Sequence, residues 1–323
     1  MQANPWSTNS VNRLGHGFTR PKHIPSNAPG HHISACSFGS LTTIVVFIIR
    51  AGLPLLPAMF WRYLVAAIIL FALMSRSQRV AVTPRQKWRL IIVGGVAQPA
   101  ITYLSLYALN YIPVGSLGFL FYTYPAWLVI LTAVRGDEKL SYVRLAALIV
   151  AMAGIALMVG APTAGSLHPT GVMLALGSAV LYALYLPALN SAQKGIPAVT
   201  ASFYVVLGVS IAFFLASVMS GDMRAPDTIA LWGYVGLLSL VCTVMALVAL
   251  FAGLRILGPV GTSIVTTIEP FFTAILGVLF LAERLTSATL IGGAMIGVAV
   301  MLLQVHGARA SMKLNRAETG GAS

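Results

Sequence analysis

The chain has 323 residues, of which 58% are hydrophobic and only 8% are charged. Soluble domains carry about 25% charged residues, so this composition excludes a soluble globular core and indicates a polytopic membrane protein. The formal net charge is +13, but no basic patch alternates with aromatic residues, so the excess predicts basic cytoplasmic loops and no nucleic-acid partner.

The two ends of the chain differ from the apolar sequence between them. Residues 1–32 hold three basic residues, several prolines and glycines, and no acidic residue. They also lack the continuous apolar core of a secretory signal peptide. We predict a disordered cytoplasmic tail over residues 1–32 and a second cytoplasmic tail over residues 305–323.

Between the tails, apolar runs follow one another with short separators rich in proline and glycine. The runs have the roughly 17–25 residues that a helix needs to cross about 30 Å of hydrocarbon. Open strands would leave backbone groups unsatisfied in lipid, so the runs predict an all-α polytopic membrane protein. The ten predicted transmembrane helices are residues 33–50, 57–74, 89–110, 114–134, 142–160, 170–190, 198–219, 229–254, 259–280 and 287–304.

Basic residues are distributed unevenly between the connecting segments. If the N terminus is inside, the inner segments hold 16 of the 20 lysines and arginines. The outer loops hold only Arg50, Arg224 and Arg284, and Arg62 lies within a span. Because membrane proteins collect basic residues in cytoplasmic loops, both termini are predicted to be cytoplasmic.

One stretch near the C terminus has a weaker copy earlier in the chain. Thirteen positions separate Pro270 from Glu283, and the same 13 separate Pro125 from Glu138. Such self-similarity predicts a doubled unit: five helices in residues 33–160, an external linker at 161–169, and five helices in 170–304. An odd number of helices per unit makes the two units antiparallel, which is the inverted-repeat plan of many secondary transporters.

Glu269 is the one carboxylate that falls deep in a predicted span. A charge there costs at least about 2.5–3.5 kcal/mol on insertion scales, so its presence needs a reason. It either takes up and releases a proton during transport, or is a neutral group that caps backbone freed by Pro270. Thr262 and Thr266 share its helical face, which either lines a polar cavity or packs between helices.

Other polar and aromatic side chains extend this candidate cavity. An amide, hydroxyls and tyrosine rings suit an amphipathic solute, although packing explains them as well. Arg62 either extends to the membrane interface or binds a substrate carboxylate or Glu269. Glu283 is predicted to cap the next helix. The predicted cavity residues are Glu269, Thr266, Thr262, Gln98, Thr102, Tyr103, Tyr124 and Arg62.

Several motifs carry a family resemblance over roughly residues 33–304. They are Pro113-Val114-Gly115, Asp137-Glu138-Lys139-Leu140, Phe251-Ala252-Gly253-Leu254, Glu269-Pro270 and Ala282-Glu283-Arg284-Leu285. In order and spacing they resemble the EamA-type members of the drug/metabolite transporter superfamily. The resemblance implies ten helices in two inverted five-helix repeats, and export or exchange of small metabolites, amino acids or drugs. It also implies a homodimer through the last helix, although packing within one chain explains the glycines there equally well.

These patterns predict a secondary active transporter with a small-molecule substrate, protons or a counter-substrate, and lipid as partners. The family resemblance implies that it lies in a bacterial inner membrane. No metalloprotease, P-loop or nucleophile-elbow motif is present in the sequence, so we predict no enzyme and no cofactor. The alternatives are a channel or scaffold without coupled transport, and a membrane-embedded enzyme.

Overall fold

The computed structural model describes residues 30–76, 82–134, 141–160, 167–248 and 269–320. Every regular element in these ranges is helical. The predicted positions Thr262, Thr266 and Glu138, and most of the predicted linker, lie outside them. The helices are α1 Gly30–Arg50, α2 Leu55–Arg76, α3 Pro84–Tyr107, α4 Val114–Phe121, α5 Tyr124–Val134, α6 Tyr142–Gly160, α7 Pro169–Ala192, α8 Ala198–Met219, α9 Ile229–Ser239, α10 Glu269–Leu281 and α11 Ser287–Gly320.

Eight helical stretches of the described chain are long and apolar enough to cross a membrane. They agree with eight of the ten predicted spans, and α4 and α5 together form one of them. The first predicted span falls on α1, with the apolar stretch Ser40–Arg50, and the ninth falls on the described helix α10. The structure therefore confirms an all-helical, multi-pass architecture, and the count of ten stays a prediction.

Local sequence sets where several helices begin and end. α1 ends at Arg50, and Gly52 follows with φ +96°, a left-handed conformation that favours glycine. α3 begins with a capping box, in which Thr83 and Gln86 exchange side-chain and backbone hydrogen bonds. Pro125 lacks the N–H that would continue α4, so the chain turns at Tyr122-Thr123 before α5 begins.

The most extensive helix contacts in the described chain join its first half, residues 30–160, to its second half, residues 167–320. α2 packs on α8, α6 on α11 and α4 on α10. α3 packs on α7 and α8, and α1 packs on α10. Helix–helix contacts within either half are less extensive, so the two halves interlock rather than lie side by side.

These contacts form a symmetric set. Each helix of the first half has a counterpart five predicted spans later in the second half. The pairs are α1 with α7, α2 with α8, α3 with α9, α4–α5 with α10, and α6 with α11, and the two members of each pair can be exchanged. The contacts α2–α8, α4–α10 and α6–α11 map onto themselves. The contacts α3–α8, α3–α7 and α1–α10 become α9–α2, α9–α1 and α7–α4/α5, which are all present.

Glycines allow the closest helix pairs to approach. A Cβ placed on Gly208 of α8 would collide with the carbonyl oxygen of Ile91 in α3, and one on Gly154 of α6 would lie 2.6 Å from the carbonyl oxygen of Gly292. Gly293 and Gly297 of α11 lie against Phe119 and Phe271, respectively. The glycine face of α11 is thus covered by packing within one chain.

Candidate functional site

The Tyr122 hydroxyl donates a hydrogen bond to Oε2 of Glu269 and thereby links the two halves of the chain. Tyr122 is buried and directly follows the eight-residue helix α4, about 12 Å along its axis. Glu269 is partly exposed and opens the described part of α10, about 20 Å from the other end of that helix. If these helices span a hydrocarbon layer about 30 Å thick, both groups fall well inside it.

The helix break positions Tyr122. Thr123 fills the break, because its hydroxyl donates to the carbonyl oxygen of Leu120 at 2.7 Å and accepts from the indole N–H of Trp127 at 3.2 Å. The break between α4 and α5 thus lies at the contact with Glu269, and Pro270 follows Glu269 directly in the other half. Interrupted helices near the bilayer midplane are typical of transporter binding sites.

Aromatic rings form one wall beside this bond. The ring of Tyr124 lies 5.8 Å from that of Tyr122 and 4.8 Å, edge to face, from that of Tyr182 in α7. Phe121 contacts all three of these rings. Tyr124 and Tyr182 are partly exposed, so part of this wall is accessible. The structure brings Tyr124 together with Glu269 in this region.

Arg62 is buried, with 3% of its surface exposed. Its Nε donates to Oγ1 of Thr243 at 2.8 Å, and its Nη2 donates to the carbonyl oxygen of Cys242 at 3.4 Å. The guanidinium carbon lies 4.7 Å from the centre of the Tyr63 ring. The expectation that Arg62 extends to the membrane interface is therefore wrong, because residues that follow α9 supply it with acceptors inside the bundle.

The acceptors for Arg62 come from a π-helix, Leu240–Met245, which continues α9. Ser239, at its start, donates to the backbone carbonyl oxygen of Arg62 at 2.8 Å. Ser40 of α1 lies 3.5 Å from the Cys242 sulfur. π-helical turns within α-helices are frequently found at functional sites.

Gln98 and Thr102 are joined to the same region through Tyr63. The Gln98 amide lies 3.5 Å from the Thr102 hydroxyl, which lies 3.4 Å from the Tyr63 hydroxyl. Tyr103, in contrast, is 36% exposed and stacks on Tyr107 with ring centres 5.4 Å apart. The structure does not bring Tyr103 to the cluster around Glu269.

Glu283 lies at one end of the bundle and caps α4. Its carboxylate oxygens accept hydrogen bonds from the backbone N–H groups of Val114, at 2.7 Å, and Gly115, at 3.2 Å. Glu283 was expected to cap the helix that follows it, and that expectation is wrong, because it caps a helix of the other half. A cavity of about 320 Å³, lined by Arg50, Tyr111, Glu283 and Arg284 among others, opens beside this cap.

Sequence analysis missed several residues of the site: Tyr63, Ser40, Cys242 and Thr243. A tyrosine or threonine in an apolar span has too many ordinary structural roles to be singled out. The one available signal was the copy of the Glu269-Pro270 motif at Tyr124-Pro125, which indicates that helix 4 faces the site.

Comparisons with known proteins agree with this architecture. A family model described as the EamA-like transporter family matches residues 32–160 and 169–305. Twenty-seven chains of solved structures also match. One of them, described only as a crystal structure of a protein, has a TM-score of 0.60 and 18% identity, over 87% of this chain and 97% of that chain. At that identity the likeness shows the fold alone. A comparison with curated proteins finds no match.

Proposed function

Because the chain belongs to the EamA-like transporter family, we propose that it is a secondary active transporter that moves a small organic solute through the centre of the bundle. The observation that carries this proposal is the bond between Tyr122 and Glu269. It places the only carboxylate of a predicted span against a helix break, and it joins the two halves that must move relative to each other.

The proposal includes the orientation of the chain. Two five-helix units, residues 33–160 and 170–304, lie antiparallel in a plasma membrane with both termini cytoplasmic. The exchange symmetry of the helix contacts supports a two-fold relation, and alternation of successive spans makes it an inverted one. The basic residues support the orientation. A homodimer would need a surface other than the covered glycine face of α11.

Glu269 is proposed to couple transport to a proton. An ionised carboxylate accepts the hydrogen bond of Tyr122 as a charge-assisted bond, which is about twice as strong as a neutral one. Protonation removes that charge and weakens the link between α4 and α10. Proton binding therefore favours the state in which these helices separate, and it shifts the conformational equilibrium only through this difference.

The substrate cavity is proposed to lie between Glu269, Tyr124 and Tyr182 on one side, and Arg62, Thr102 and Gln98 on the other. Partly exposed Gln98, Tyr124 and Glu269 give a solute polar and aromatic contacts inside the bundle. Thr262 and Thr266 remain predicted members of this cavity. Tyr103 is proposed as part of the route to it, not of its centre.

Reconstitution tests the proposed function. Purified protein is reconstituted into liposomes, and the liposomes are loaded with one of a panel of radiolabelled carboxylates, amino acids, nucleosides and cationic drugs. Flux is measured with and without an imposed pH gradient. We expect saturable flux of at least one class, accelerated by the gradient. Protein-free liposomes are the control. Flux that never saturates would indicate a channel, and no flux of any class above the control would contradict the proposal.

A further inference from the structure

Arg62 carries a buried positive charge at the centre of the bundle. Only 3% of its surface is exposed, although it is one of the most polar side chains in the chain. Buried charges in proteins are normally compensated by a carboxylate or another anion, because removal from water is costly. The described contacts of Arg62 therefore indicate whether an anion compensates its charge.

The described partners of the guanidinium are neutral. Nε has a good acceptor in Thr243, at 2.8 Å. Nη2 has only the carbonyl oxygen of Cys242 at 3.4 Å, and Nη1 has only the sulfur of Met59 at 3.7 Å. A guanidinium has five N–H donors. The edge formed by Nη1 and Nη2 is thus the least satisfied part of a side chain that is otherwise fixed.

Among the residues that the structure describes, no carboxylate is bonded to this edge. Of its seven acidic residues, only Glu269 falls in a predicted span, and Tyr122 binds it. Glu283 caps α4. Asp222 and Asp227 lie in the connection between α8 and α9, and no described contact joins either to Arg62. Residues 249–268 contain no Asp or Glu.

The surroundings also hold the guanidinium in a fixed plane. Tyr63 lies beneath it, with 4.7 Å from the guanidinium carbon to the ring centre. Tyr63 in turn stacks on Phe213, with 5.8 Å between ring centres and 5° between ring planes. A planar fork held in this way matches the two oxygens of a carboxylate. The partly exposed ring of Tyr182, 6.1 Å from the ring of buried Tyr185, gives aromatic surface for the remainder of a ligand.

We propose that Arg62 is the substrate-recognition residue, and that the substrate is a solute with a carboxylate attached to an apolar or aromatic body. The carboxylate binds the Nη1–Nη2 edge, and the body lies against the tyrosine rings. This inference rests on the proposed transport function and specifies its substrate class. It predicts that uncharged analogues and purely cationic solutes bind poorly.

Binding by the full-length purified protein tests the proposal. The probes are matched pairs of a carboxylate and its primary amide: 3-phenylpropanoate, hexanoate, indole-3-acetate and phenylalanine, each with the corresponding amide. Equilibrium binding is measured with radiolabelled probes. We expect at least one carboxylate to bind about tenfold more tightly than its amide, the value of one hydrogen bond to a charged group. If no pair shows a preference for the carboxylate, the proposal is wrong.

Variants identify the residue responsible. Arg62→Gln is expected to remove the preference for carboxylate over amide, and Arg62→Lys to keep a part of it, because lysine retains the charge but not the fork. Thr243→Val removes the acceptor of the Arg62 Nε hydrogen bond and is expected to reduce the preference for carboxylate over amide. The matched control Arg224→Gln alters an exposed arginine and should keep it in full. A purely structural Arg62 would lower heat stability in Arg62→Gln and leave the ratio of the two affinities unchanged, which would overturn the proposal.

The outcome is separable from that of the transport proposal. Saturable, gradient-driven flux whose carboxylate preference survives Arg62→Gln would refute the substrate assignment and leave the transporter intact. Carboxylate binding that depends on Arg62, together with no flux in liposomes, would refute transport and leave the binding site intact.

Discussion

Tyr122 and Glu269 belong to different halves of the chain, and a single hydroxyl joins them. The change Tyr122→Phe removes this donor and leaves the ring in place. We expect a folded protein whose gradient-driven transport falls about tenfold or more, because a hydrogen bond to a charged group contributes about 1.5–3 kcal/mol. Tyr142→Phe is the matched control, since Tyr142 is 92% exposed. Equal losses in both variants would contradict the proposed role.

Glu269→Gln tests coupling at the same bond. Glutamine keeps the shape of the side chain but cannot ionise. We expect the variant to be inserted and folded, to lose proton-driven flux, and to retain exchange of substrate for substrate. Glu269→Asp should keep part of the activity with an altered pH profile. Flux is measured in liposomes with and without a pH gradient, and normal gradient-driven flux in Glu269→Gln would leave Glu269 a structural role only.

Individual site residues could be predicted from the sequence where their presence in a membrane span is energetically costly. They could not be predicted where their role depends on which helices pack together. Glu269 could be singled out because a carboxylate in a span is costly. The contact of Tyr122 with Glu269 could not be predicted, since the rotation of a helix is set by packing against its neighbours. The burial of Arg62 was missed for the same reason: its acceptors, Thr243 and Cys242, lie about 180 positions away in the sequence.

The backbones of α3 and α8 approach closely at Gly208, so a larger residue there should destabilise the pair of helices. Gly208→Ala would place a methyl group against the Ile91 carbonyl, which is backbone and cannot change rotamer. We expect a loss of about 1–3 kcal/mol of stability. The control is Gly233→Ala, where an added Cβ meets nothing within 4 Å. Heat stability in detergent measures the difference, and equal melting temperatures would show that α3 and α8 separate readily.

Element boundaries show what hydropathy can and cannot detect. α3 begins at Pro84, five positions before the predicted residue 89. Its first turn holds Arg85, Gln86 and Lys87, so an apolar window excludes it, although Thr83 and Gln86 form a capping box there. The break after α4 is marked by Pro125, but the π-helix that binds Arg62 has no comparable mark in the sequence.

The topology of the whole molecule can be tested by labelling. A cysteine at Gly165, in a variant where Cys36 and Cys242 are replaced by alanine, should react with an impermeant thiol reagent added outside intact cells. The basis is the concentration of basic residues in the predicted inner segments. A cysteine placed at Gln78 is the control and should be protected. The reverse pattern would overturn the predicted orientation.

For the whole molecule, the composition was sufficient to predict a polytopic membrane protein, and the internal repeat was sufficient to predict two related units. The sequence could not show how the repeats meet, because spacing along a chain contains no information on which helices pack together. The strongest contacts, such as α2 with α8 and α6 with α11, join positions more than 100 residues apart.

The interlocked halves also constrain how the protein is made. A ribosome releases the first five helices before their main packing partners exist, because α1, α2, α3, α4 and α6 each make their largest contacts with helices encoded later. Until the second half enters the bilayer, Arg62 has no Thr243 and Tyr122 has no Glu269. The nascent first half is therefore a loosely assembled intermediate, and a chain truncated after residue 160 is expected to be a substrate for membrane proteases rather than a stable fragment.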